Sequence, residues 1–150
     1  MATRRVLRTV EFPADSQPYM LRVSPDGKEV WVQTARADTN VVLDGDDLSV
    51  LATEPTGRSP VANFWTPDRR YAFVTHTNDT FVSVFDARTY REVARLEVGR
   101  GSANIGFTRD GATAFISIRG RNAVAVVDVS RLEVVREIPV GTEPQGLIVL

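Results

Sequence analysis

Cysteine is absent and histidine occurs once. The first absence excludes disulfides, thiolate catalysis and cysteine-bound zinc, and leaves the redox compartment unreadable. The second excludes a metal site built from histidines alone within one chain. An excess of charge of one sign is also missing. With 18 basic and 19 acidic residues the net charge is −1, so nucleic acid or an anionic membrane is not expected as a main partner. No apolar run approaches the roughly 20 residues of a membrane span. The opening, MATRRVLRTVEF, has basic residues but no apolar core of about 7–15 residues, so it does not read as a signal peptide. What remains is ordinary globular composition, 43% hydrophobic and 25% charged.

The stretch Ser24-Pro25-Asp26-Gly27 sits between two apolar runs. A calcium loop needs several oxygen ligands at fixed spacing. Only Asp26 is available here, beside Lys28, so the stretch reads as a hairpin turn in which Gly27 takes the positive φ. The stretch recurs. Asp26, Asp68 and Asp110 stand 42 residues apart. So do Trp31, Phe73 and Phe115, then Val42, Val84 and Val126, then Asp44, Asp86 and Asp128, then Gly57, Gly99 and Gly141. Pro18, Pro60, Ser102 and Pro144 make a column of four. The register needs no gap from residue 18 to residue 146, and such a period decides the architecture before any local feature does.

Each unit reads as four short strands rich in β-branched and aromatic residues. Strand one is expected near 20–24, 62–66 and 104–108, and strand two at 29–33, 71–75 and 113–117. Strand three follows at 40–44, 82–86 and 124–128, and strand four at 49–54, 91–98 and 133–140. Strands two and three are apolar on both faces, as strands buried on both sides are. Strand four alternates, as in REVARLEV, and should be the outer, half-wet strand. Four-stranded units of this length, wet only at the outer edge, are propeller blades. The expected fold is therefore all-β, a partial β-propeller of antiparallel blades. Residues 17–58, 59–100 and 101–142 are the blades, 1–16 the outer strand of a preceding one, and 143–150 the first strand of a next one. The acidic DGDD at 44–47 becomes DART and DVSR in the other units, so it too reads as a turn rather than a metal loop. Arg69 stands where the other units have Gly27 and Gly111, so local backbone strain is expected in the second blade.

The segments SPDGKEVWV and NAVAVVDVSRLEVVREIPVGTEPQG resemble the YVTN family of β-propeller repeats, with the Tyr-Val-Thr-Asn element itself degraded to WVQT, FVTH and FISI. The resemblance implies a bladed ring of bacterial or archaeal type, often exported, so a periplasmic or extracellular location is suspected on that ground alone. It implies little about chemistry. A ring of several such blades needs more chain than this. The sequence is expected to be a cut piece completed by missing blades, the alternative being a ring closed with a second copy.

Strand direction alternates within a blade, so the loops after strand two and after strand four share one face. On that face lie Arg36, Arg58, His76, Arg100 and Arg119, the candidate ligand-binding residues. A lone loop histidine is ordinarily solvated or hydrogen-bonded, and the arginines are interleaved with Asp38, Asp79 and Glu143 as on a solvated surface. The sharper reading is a mouth that attracts an anion. No nucleophile–base pattern surrounds His76, no metal site can be assembled, and no cofactor is expected from these residues. The functional expectation is a non-enzymatic binding or scaffold propeller presenting its loop face to a ligand or protein. The alternative is part of a propeller enzyme, lactonase-like or haem- and redox-associated, whose site lies in other blades.

Overall fold

The computed structural model describes residues 5–150. The strands in chain order are β1 (Pro18–Val23), β2 (Glu29–Thr34), β3 (Thr39–Asp44), β4 (Val50–Pro55), β5 (Pro60–Trp65), β6 (Tyr71–His76), β7 (Phe81–Asp86), β8 (Glu92–Glu97), β9 (Ser102–Phe107), β10 (Thr113–Ile118), β11 (Ala123–Asp128) and β12 (Glu133–Pro139). A single 3₁₀ turn, Arg119–Arg121, joins β10 to β11. The strands make three four-stranded antiparallel sheets in the orders β1-β2-β3-β4, β5-β6-β7-β8 and β9-β10-β11-β12. These are three consecutive propeller blades. The repeat is structural down to the register: Trp31 faces Val42, Phe73 faces Val84 and Phe115 faces Val126. Strand one of each blade begins about two residues earlier than its composition suggests, because the Pro18 column already pairs with the end of strand two.

The burial pattern follows the expected layering. The second and third strands are mostly buried, while β4, β8 and β12 alternate between exposed and half-buried. The first strands stand side by side, β1 beside β5 and β5 beside β9, and form the inner wall. β1 is exposed along its whole length. Apolar side chains fill the space between blades. Trp31 of the first blade meets Trp65, Phe85 and Tyr90 of the second edge-on, at centroid distances of 5.7, 6.2 and 6.0 Å. At the next boundary Phe73 meets Phe107 in the same way at 5.3 Å. T-shaped pairs of this kind add roughly 0.5–1.5 kcal/mol each to the burial of the rings. A third cluster joins Val32, Val41 and Leu43 to Val10 and Phe12 of the segment before β1.

Polar bonds stitch the blades together at one repeat position. The Thr75 hydroxyl donates to the Ala103 carbonyl at 3.4 Å, and Ser117, its equivalent one blade on, donates to the Gln145 carbonyl at 2.7 Å. Ser102 binds the His76 backbone, accepting from its N–H at 2.9 Å. At the first boundary the same position is Gln33, whose Nε2 donates to the Asn40 and Asn63 side-chain oxygens at 2.9 and 3.2 Å. All three amides are fully buried.

The hairpin turns carry no metal cluster; no group of three acidic or histidine side chains suited to one occurs among the described residues. Asp26 Oδ1 accepts from the Ser24 hydroxyl at 2.7 Å and the Lys28 N–H at 3.3 Å. Asp68 and Asp110 do the same with Thr66 and Thr108, both at 2.6 Å. The φ angles are +76° at Gly27, +58° at Arg69 and +73° at Gly111, so the second blade keeps the turn and bears the strain. At the same end of each blade Asp44, Asp86 and Asp128 cap the turn after strand three by accepting from the backbone N–H groups two and three residues on.

The segments assigned to neighbouring blades form no strand. Residues 1–4 lie outside the described residues, and neither 5–16 nor 144–150 is paired in a sheet. The latter segment still lies against β9: a Cβ on Gly106 would come within 2.6 Å of Leu147 and 2.8 Å of Val149.

Candidate functional site

The loops after strands two and four do meet at one end of the blades. The Arg36 N–H donates to the Ser16 carbonyl at 3.1 Å, and its repeat equivalents Asn78 and Gly120 donate to the Arg58 and Arg100 carbonyls at 3.4 and 3.1 Å. Each bond ties the loop after strand two to the segment leading into strand one of the same blade, so the candidate arginines share this end. Their guanidinium groups differ in what they are free to do. Asp79 takes both Nε and Nη2 of Arg58 at 3.2 Å and also accepts from the Arg58 backbone. Partial burial opposes ionisation of Asp79, but the Arg58 N–H and guanidinium outweigh it and hold its carboxyl below the ordinary range. Arg58 is thus a neutralised pair rather than an anion site. Arg36 stands apart beside Asp15, at 3.9 Å.

Arg100 and Arg119 remain. Neither is ion-paired among the described residues. Arg100 Nη2 donates to Asn78 Oδ1 at 3.3 Å, and Arg119 Nε is buried without a partner. The two are adjacent because the Arg119 N–H donates to the Gly101 carbonyl at 3.1 Å. This pair is where the face keeps uncommitted hydrogen-bond donors with positive charge, the combination that recognises carboxylate or phosphate.

His76 departs from the loop expectation. It is the last residue of β6 and is fully buried. Its Nδ1 lies 3.0 Å from the Phe81 carbonyl, which can only accept, so that nitrogen carries the proton. Nε2 then accepts from the Gly57 N–H at 3.1 Å, with the Thr56 hydroxyl 2.8 Å away. Burial lowers its pKa, and the bond to Phe81 opposes that only in part. The other two blades place Thr34 and Ile118 at this position, both buried. The histidine is a packing residue whose two nitrogens are both engaged, not a surface ligand. Gly57 is required beside it: a Cβ there would lie 2.9–3.0 Å from Asp79 Oδ2 and the His76 ring.

A cleft opens on the opposite end. It has a volume of about 780 Å³ and lies between the first and second blades, lined by Asp26, Trp65, Arg69, Arg70, Arg88 and Tyr90 among others. Arg69 bridges the boundary to Asp26. Hydrogen bonds from Ser24 and then Arg69 hold the Asp26 carboxyl well below the usual carboxylate range. Glu29 fixes two aromatic rings, accepting from Trp31 Nε1 at 2.8 Å and the Tyr90 hydroxyl at 2.9 Å. Burial, with this bond, pushes the Tyr90 phenol up to about 12. Sequence reasoning missed this cleft. The signal that pointed to it was Arg69 at a glycine position, which the sequence shows as strain but not as a partner for Asp26.

Residues 64–148, more than half of the chain, match the family described as cytochrome D1 heme domain. The chain belongs to this family. Protein NirF of Stutzerimonas stutzeri is 23% identical to this chain over 139 residues, covering 91% of this chain and 35% of NirF. The uncharacterized protein YncE of Salmonella typhi is 26% identical over 102 residues, covering 68% of this chain and 29% of YncE. The chain thus spans about a third of the length of the curated relatives it matches. The structure is similar to a Kuenenia stuttgartiensis hydrazine synthase chain with TM-score 0.83 and 26% identity, covering 94% of this chain and 41% of that one. It also shares its fold with dihydro-heme d1 dehydrogenase NirN in complex with DHE, with TM-score 0.69 and 20% identity over 85% of this chain and 27% of that one. The matches support a propeller family, and the one the family match names is the cytochrome D1 heme domain, not the YVTN family.

Proposed function

We propose that this chain is part of a propeller that holds a haem of the d1 class, with Arg100 and Arg119 reaching the carboxylates on its rim. Membership of the cytochrome D1 heme domain family carries the reading. The residues fit one half of the task. Two adjacent guanidinium groups without carboxylate partners, one with a buried, unpartnered Nε, suit an anionic rim. They do not supply an iron ligand through histidine, because both nitrogens of His76 are already bonded inside the blade. A haem supplies, when bound, an iron that exchanges single electrons. Binding the group and reacting it are separable, and the residues here speak to the first. This favours the haem-associated alternative over a bare scaffold. The YVTN-like motif then describes how the blades are built.

We also propose that 1–16 and 143–150 belong to neighbouring blades. The Ser117 bond to Gln145 repeats the Thr75 bond to Ala103 one blade on, which supports the second assignment.

The test is uptake of haem d1, followed by absorbance, with protohaem as the control for non-specific binding. The combined Arg100→Gln and Arg119→Gln variant is expected to bind about tenfold more weakly or worse, as loss of charge-assisted hydrogen bonds implies, and Arg36→Gln to bind as the wild type does. No uptake of haem d1 by the wild type, or equal uptake by the double variant, overturns the proposal.

A further inference from the structure

The cleft between the first and second blades has an internal control, because the repeat supplies the same boundary one blade on. Asp68 and Asp86 on its wall recur as Asp110 and Asp128, and their Oδ1 atoms cap turns in both places. Ser24, Asp26 and Trp65 also recur in kind, as Thr66, Asp68 and Phe107, but the rest of the polar and aromatic wall does not. Arg69, Arg70, Arg88 and Tyr90 are replaced by Gly111, Ala112, Ser130 and Leu132. At that second boundary the turn closes onto its neighbour: a Cβ on Gly111 would stand 3.2 Å from the ring of Pro67. The blade architecture therefore does not require the cleft. It requires only the residues that recur, and the first boundary has been elaborated beyond them.

The elaboration has a chemical character. Trp65 and Tyr90 give the cleft two aromatic side chains, Tyr90 being locked by its bond to Glu29. The guanidinium of Arg70 lies 4.8 Å over the ring of Tyr71, and neither Arg70 nor Arg88 is ion-paired among the described residues. Asp68 and Asp86 each use Oδ1 for their turn, and their Oδ2 atoms make no hydrogen bond among the described residues. Donors and acceptors thus line the same space, and Arg69, Arg70 and Arg88 nearly balance Asp26, Glu29, Asp68 and Asp86 in charge. A strongly ionic ligand gains little from such a wall. A molecule whose groups both donate and accept, with a flat apolar face to lay on an indole, fits it best.

We propose that this cleft is a carbohydrate-binding site for a neutral sugar, on the end of the blades opposite Arg100 and Arg119 and independent of the haem reading. Binding of neutral oligosaccharides (maltotriose, cellotriose and chitotriose) to the full-length protein is measured by calorimetry and by saturation transfer from protein to sugar. Glucuronate and glucose 6-phosphate are the charged comparison. The variants carry the third-blade residues, Arg70→Ala with Arg88→Ser and separately Tyr90→Leu, which this same fold already accommodates. At least one neutral sugar is expected to bind, and each variant to weaken it by about tenfold or more, Arg70→Ala with Arg88→Ser at an unchanged melting temperature. Haem uptake is expected to be unaffected. Absence of binding by the whole neutral panel at millimolar concentration, binding of the charged sugars alone, or full binding by the variants overturns the proposal.

Discussion

Replacing Arg69 by glycine sets two effects of one residue against each other. At φ +58° the Arg69 Cβ crowds the backbone, which costs roughly 1–2 kcal/mol for a residue other than glycine. Glycine also adds freedom to the unfolded chain, which returns about 0.4–1 kcal/mol of that gain. The backbone balance therefore favours Arg69→Gly by about 0.5–1 kcal/mol, or about 1–4 °C in melting temperature for a protein of this size. Against it stands the ion pair to Asp26, whose partners are 46% and 28% exposed at the side chain and hence open to screening by salt. The two effects separate by ionic strength. At 1 M salt, where the screening length is about 3 Å, Arg69→Gly is expected to show the full backbone gain, and at low salt a smaller one. Asp26→Asn, made alone and together with Arg69→Gly, isolates the pair in a double-variant cycle. Gly27→Ala calibrates the backbone effect, since nothing lies within 4 Å of a Cβ at that position and φ is +76°. It is expected to cost about 1 kcal/mol. Urea and thermal melts of the wild type and the four variants at two salt concentrations decide the matter. A lower melting temperature for Arg69→Gly at high salt refutes the reasoning.

Three further outcomes follow from the buried groups and the inner edge. His76 is held neutral, so its contribution is complete above the unfolded pKa of about 6.5 and is lost as pH falls below that value toward the depressed folded one. Melts at pH 7.5 and 5.5 should differ for the wild type and differ less for His76→Gln, whereas the turn aspartates act only below about pH 4. Gln33→Leu strands the Asn40 and Asn63 oxygens in the core and should cost about 1–3 kcal/mol for each, read by urea titration. Residues 1–150 expressed alone expose Tyr19, Leu21 and Val23 of β1 at 62%, 57% and 53%. Sedimentation at micromolar concentration should show self-association, and a sharp monomer with a cooperative melt would count against it.

The blades were legible because a repeat multiplies weak signals. One Asp-Gly is ambiguous, but three aspartates at the same spacing, each followed by an apolar pair, fix turn, strand and register together. The arginine row was legible for the same reason, since alternation of strand direction dictates which loops share an end. What alternation does not carry is the choice of partner. Nothing local distinguishes Arg58, clamped by Asp79 from the next loop, from Arg100, which is not. His76 was misplaced because THTND reads as a polar loop, while the strand continues one residue past its apolar run and turns the ring inward. The cleft was invisible because it lies between units, and a comparison of units column by column describes each unit by itself.

The polar stitches between blades imply different rules for rearranging them. Thr75 bonds to a backbone carbonyl of the following blade, Ser117 to one of the segment after β12, and Ser102 to the backbone of the preceding blade. Every amino acid offers a carbonyl, so these joints accept a successor of almost any sequence. Gln33 instead bonds the side chain of Asn63, and few other residues would answer it. The first joint is keyed and the others are generic. Duplication, loss or exchange of blades by recombination would thus be tolerated after the second unit and penalised after the first. Among the described blades, the first two are matched to each other as a pair.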